Sequence, residues 1–70
     1  MNKAEIIDAL YNELVTLYEN ANYYANNDNP MHNARAARDF EIRASEVCDI
    51  ASTLFNVDLF DRYILAQLRN

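Results

Sequence analysis

The chain contains no glycine and a single proline, Pro30, in 70 residues. Those are the two residues that most readily interrupt a helix or open a tight turn. A chain nearly without them has few places to bend, and this one is driven towards a small number of long helices. The strongest interruption is Asn26-Asn27-Asp28-Asn29-Pro30. Asparagine tolerates the left-handed backbone that often ends a helix. Asn29 is placed to cap a following helix, and Pro30 suits a first helical turn, where its missing N–H has no partner to lose. A softer break falls at Asn56-Val57-Asp58, with Asp58 as the cap of a short third helix. At the start, Asn2 followed by Glu5 resembles a capping box.

Between these breaks the apolar residues recur at helical spacing. Ile7, Leu10, Leu14, Leu17, Ala21 and Tyr24 form one row, and Ile6, Tyr11, Val15, Tyr18 and Ala25 widen it to about half the circumference. This predicts helix 1 over about residues 3–25. Ala37, Phe40, Ala44, Val47, Ala51 and Leu54 predict helix 2 over about 30–55, with alanine at alternate seam positions so that two helices approach closely. Phe60, Ile64 and Leu68, with Tyr63 beside them, predict helix 3 over about 58–69. A short turn between two long helices forces them antiparallel. The expected fold is therefore one all-α domain over 1–70: a hairpin of two long helices with a short third helix. The broad face of helix 1 exceeds what one neighbour covers, and a second copy is the economical cover, so a homodimer forming a helical bundle is expected.

Charge and cysteine usage narrow the classes further. Cys48 is the only cysteine, which excludes an internal disulfide and suits a reducing compartment. The polar start, Met1-Asn2-Lys3-Ala4-Glu5, has no basic segment leading into an apolar one, and no apolar run approaches the roughly 20 residues of a membrane span. A soluble cytoplasmic protein without membrane contact is expected. The formal charge is −5. Residues 1–29 hold five acids against Lys3 alone, whereas residues 30–70 hold six acids against five arginines. A net acidic chain is poorly suited to neutralising phosphates, so direct nucleic-acid binding is disfavoured.

Catalytic chemistry has little to work with. His32, expected in the first turn of helix 2, is the only histidine, too few for an ordinary catalytic zinc site. Cys48 borders the helix 2 seam and reads as a small buried hydrophobe. No Glu is followed three residues later by His, as a di-metal bundle site requires. Without glycine, neither a phosphate-cradling loop nor a nucleophile elbow can form. No enzyme activity, cofactor or metal is expected. A helix-turn-helix reading of Ile50–Asp58 places Ala51, Leu54 and Val57 at core positions. It also puts Phe55 where the turn usually has glycine, and it starts the reading helix with Asp58 and Asp61, which phosphates repel, so a DNA-binding repressor is the least favoured function.

What remains is recognition of another protein. Ile42 projects opposite the helix 2 seam beside Arg35 and Arg38, and Tyr23 lies on the polar face of helix 1. An apolar anchor with a polar or arginine-containing rim is how protein contacts are commonly built. Tyr23, Ile42, Arg35 and Arg38 are accordingly the candidate contact residues of a small interaction module acting as adaptor, inhibitor or regulator. The alternative uses the acids of helix 1, Glu5, Asp8, Glu13 and Glu19, as phosphate substitutes. The chain would then be a nucleic-acid mimic of the phage or mobile-element kind, inhibiting a nucleic-acid-binding enzyme.

Overall fold

The computed structural model describes all residues, Met1–Asn70. It has three helices and no strands: α1 (Lys3–Ala25), α2 (Ala34–Phe55) and α3 (Leu59–Arg69). The two long helices pack along one another as an antiparallel hairpin, and α3 folds back against both. No helix is long and apolar enough to cross a membrane.

Capping follows the sequence at two of the three helix starts. The Asn2 side-chain oxygen accepts from the Glu5 N–H at 2.9 Å, and Asp58 Oδ1 accepts from the Asp61 N–H at 2.9 Å. The start of α2 differs from the expectation. The helix begins at Ala34 rather than Pro30, and Asn33, not Asn29, caps it by accepting from the Ala36 N–H at 3.0 Å. His32 therefore lies ahead of α2 and outside its first turn.

Asn29 and Pro30 are used instead to build the turn. Asn29 Oδ1 accepts from the Met31 N–H at 3.0 Å, and the Asn29 carbonyl accepts from the His32 N–H at 2.8 Å. Proline is as favourable at the second position of such a β-turn as at the first turn of a helix. Asn29 also donates from Nδ2 to the Tyr23 carbonyl at 2.8 Å, and the Asn33 N–H donates to the Tyr24 carbonyl at 2.9 Å. The exposed end of α1 is thus bonded to the turn that leaves it. Asn26 ends α1 with an extended backbone, and the one positive φ in the chain, 54°, occurs at Asn56.

The core is narrow. Leu14 and Leu17 of α1, Ala44 and Ala51 of α2, and Leu59 of α3 form a buried cluster. Ala44 and Ala51 are fully buried, as expected of small residues that allow two helices to approach. Leu14 and Leu59 are the largest side chains shut off completely, each contributing about 1.5–3 kcal/mol of burial. At the turn end, the Tyr24 and Phe40 rings stack in parallel with centroids 5.8 Å apart.

The core departs from the expected one at two places. Leu54, read as the last seam residue of α2, is 67% exposed. A seven-residue repeat drifts by about 20° per heptad in a straight helix, so the third heptad carries Leu54 off the seam that Ala51 still occupies. In α3 the inward stripe is Leu59, Tyr63 and Ala66, while the expected stripe of Phe60, Ile64 and Leu68 faces outward. Both stripes satisfy helical spacing. The short connection after Asn56 decides between them, because it delivers Leu59, the first residue after the cap, into the end of the hairpin.

Candidate protein-interaction surface

The apolar surface left uncovered lies at a different place from the one the sequence suggested. Apart from Met1 and Tyr23, no large apolar residue of the N-terminal segment through α1 is exposed. Two residues of the second row of α1, Tyr11 and Tyr18, are instead covered by α3, while Ala25 at the turn end stays exposed. Tyr18 packs against Tyr63 with ring centroids 4.6 Å apart, and Arg62 lies over the Tyr11 ring at 4.0 Å. Of ten exposed large apolar residues, six fall between positions 50 and 68: Ile50, Leu54, Phe60, Ile64, Leu65 and Leu68. Ile64 is 39% exposed and Leu68 78%. The unsatisfied apolar area has moved from α1 to the C-terminal third.

The signal for this was present in the sequence. Residues 59–68 contain Leu59, Phe60, Tyr63, Ile64, Leu65, Ala66 and Leu68, more apolar positions than one face of a short helix can bury. Whichever stripe turns inward, the other is left over.

The residues picked out from the sequence are dispersed. Tyr23 is exposed, and its ring meets Tyr24 edge-on at 5.0 Å. Nine residues separate it from the buried Leu14, about 900° of helical rotation, which points it directly away from the seam. Ile42 is two residues from the buried Ala44 and likewise points outward from α2. Because the two seams face one another, Tyr23 and Ile42 project from opposite edges of the hairpin and do not form one site. Ile42 sits in a shallow depression with Arg38, Glu41, Ser45 and Glu46. Arg38 is paired there with Glu41 at 3.7 Å, and both side chains remain well exposed. Arg35 is exposed one turn earlier.

The acids of α1 are also unequal. Asp8 accepts from Arg62 Nη1 at 3.0 Å, so part of its charge is already answered within the chain. Glu5, Glu13 and Glu19 are exposed, but Glu13 is eight residues from Glu5, about 80° around the helix from it. The four carboxylates do not form a single row.

No group of three or more His, Cys, Asp or Glu side chains comes together in a way that holds a metal ion. Every buried side-chain nitrogen and oxygen has a hydrogen-bond partner. Two groups have displaced acidities. Burial pushes the Cys48 thiol up, with Asp58 and Asp49 adding to the effect and a hydrogen bond from the Phe60 backbone partly opposing it. Tyr18 is also raised, chiefly by burial and secondarily by Cys48, Tyr63 and Glu41. A raised thiol is less nucleophilic at neutral pH, the opposite of what an attacking cysteine needs. Comparison with known protein families, curated proteins and solved structures gives no match to this chain.

Proposed function

We propose that the chain is a small, non-enzymatic protein–protein interaction module, acting as an adaptor, inhibitor or regulator through its helical surfaces. The observation that carries this reading is the concentration of exposed apolar side chains in the C-terminal third, centred on Phe60, Ile64 and Leu68. Scattered exposed apolar residues are ordinary, but a continuous stripe at i, i+4 and i+8 on one helix is the form in which helical anchors dock on a partner. From its cap onward α3 is balanced in charge, with Asp58 and Asp61 against Arg62 and Arg69. An apolar centre with a mixed polar rim is typical of such contacts.

The test uses the full chain, tagged at its N-terminus, to capture proteins from the cells that make it, at low and at high salt. Wild type should retain its partner at both, since apolar contacts are little screened. Ile64→Ser/Leu68→Ser should lose it. Replacing Glu5, Asp8, Glu13 and Glu19 by their amides should weaken capture only modestly, mainly through slower association. If the amide variant loses the partner while the serine variant keeps it, the acids carry recognition and nucleic-acid mimicry replaces this reading. If wild type retains nothing, further copies of itself included, the reading fails outright.

A further inference from the structure

We infer that the outward face of α3 is a self-complementary interface, through which two copies pair with their α3 helices antiparallel about a twofold axis near Ile64. This rests on the interaction-module reading and names its partner. Three observations converge on a second copy.

The first is area. The chain exposes 5145 Å², against about 4,500 Å² for a compact monomer of its mass. The excess, about 650 Å², is at the low end of the roughly 600–1,000 Å² that each partner buries in a standard interface. The radius of gyration agrees: 13.2 Å, against about 11 Å for a compact domain of this length.

The second is coverage. The long helices extend about 33–35 Å and α3 only about 16 Å, so α3 cannot form a complete second layer over the hairpin. Its outward stripe remains in water, with Phe60 48%, Ile64 39% and Leu68 78% exposed.

The third is charge. α3 has Asp58 and Asp61 at its start and Arg69 in its last turn. An antiparallel pair sets the acidic start of each helix beside the basic end of the other and opposes the two helix dipoles. A twofold interface requires this self-complementarity, in which residue i meets j and j meets i. The acidic N-terminal part offers no comparable match, because two copies meeting there would bring like charges together.

Sedimentation equilibrium and light scattering on the full chain test the pairing. Wild type should change from monomer to dimer mass over the micromolar range, as expected for a small interface. Ile64→Glu sets two carboxylates at the axis and should leave a monomer at concentrations where wild type is dimeric. Leu68→Ser, at a position almost wholly in solvent, should weaken dimerisation about tenfold or more with the circular dichroism spectrum unchanged. Asp61→Arg and Arg69→Asp should each weaken the dimer, and the two together should recover part of the loss. A wild type that stays monomeric at high micromolar concentration overturns self-pairing. If Ile64→Ser/Leu68→Ser still abolishes capture of another protein, the interaction-module reading survives that result. A dimer that persists unchanged in Ile64→Glu, or no recovery in the double charge exchange, overturns the proposed geometry.

Discussion

Arg62 Nη1 donates to Asp8 Oδ1 at 3.0 Å, joining residues 54 positions apart, while its guanidinium lies 4.0 Å over the Tyr11 ring. One side chain of α3 thereby grips two successive points on α1, three residues apart on neighbouring turns. Both charged groups remain substantially exposed, at 45% for Arg62 and 64% for Asp8, so water screens the ion pair. The stacking on Tyr11 adds apolar contact that salt does not screen.

Removing Arg62 should therefore cost more than removing its charge partner. Arg62→Ala is expected to destabilise the fold by about 0.5–2 kcal/mol, the sum of a surface ion pair and an exposed cation–π contact. Asp8→Asn should cost well under 1 kcal/mol, and its effect should vanish at high salt. Urea unfolding at low and high salt measures both. Equal costs for the two variants would show that the Tyr11 contact contributes nothing.

The alanine seam gives a sharper test of the hairpin. Ala44 and Ala51 are fully buried where the long helices approach, leaving no room for added methylenes. Ala44→Leu and Ala51→Leu should each destabilise by about 1–3 kcal/mol. Leu54→Ala, only one turn further along but 67% exposed, should change monomer stability by about 0.5 kcal/mol or less. Thermal melts of the three variants decide it. Wild-type melting in both leucine variants would show that the seam is not closely packed.

The contrast between Ala51 and Leu54 also marks where sequence reading loses its hold. Helix identity and the antiparallel hairpin were legible because glycine is absent and the breaks are polar. The bounds of α1 and the caps Asn2 and Asp58 were legible for the same reason. Where two solutions satisfied the same local rule, tertiary geometry decided. Asn29-Pro30 could open a helix or close a β-turn, and the turn prevailed because it also bonds the end of α1. α3 carries two apolar stripes of equal quality, and the path through Asn56 selected Leu59-Tyr63-Ala66 as the inward one. The candidate surface followed from that choice, so it was not visible until the stripe was assigned. Tyr23 and Ile42 face outward, as their positions on the helices imply. Their separation on opposite edges is a property of packing, which spacing along one helix does not contain.

Asn56 should be sensitive in a particular way. Its φ of 54° puts it in the left-handed region at the end of α2, and its N–H donates to the Ala51 and Ser52 carbonyls in the last turn or so of that helix. Asparagine enters this region more readily than other residues with a Cβ, and glycine more readily still. Asn56→Ala is expected to cost about 1 kcal/mol, and Asn56→Gly to be neutral or stabilising by a few tenths. The order of melting temperatures, glycine at or above wild type and alanine below, is the readout. An alanine variant as stable as wild type would show that the left-handed turn does not constrain the path into α3.

Cys48 should make stability fall at alkaline pH. Burial, reinforced by Asp58 and Asp49, raises its thiol in the folded chain above the unfolded value of about 8.5. Below that value both states hold the proton, and stability does not depend on this group. Above it the unfolded chain releases the proton while the folded chain retains it, so the unfolded state is favoured progressively until pH passes the folded value. Tyr18, raised in the same sense, acts at higher pH, from about 10 upward. Stability measured by urea unfolding under reducing conditions should thus be level near neutrality and decline from about pH 8.5. Cys48→Ala should flatten the first part of the decline and leave the part above about pH 10. The thiol of the folded wild type should also react with a soluble disulfide reagent more slowly than a free thiol at the same pH, because less of it is thiolate. Cys48→Ala removes a partly buried sulfur, so its absolute stability will differ from wild type. The slope with pH is therefore the quantity to compare. A slope between pH 8.5 and 10 that is the same with and without Cys48 would show that the thiol ionises as freely in the folded chain as in the unfolded one.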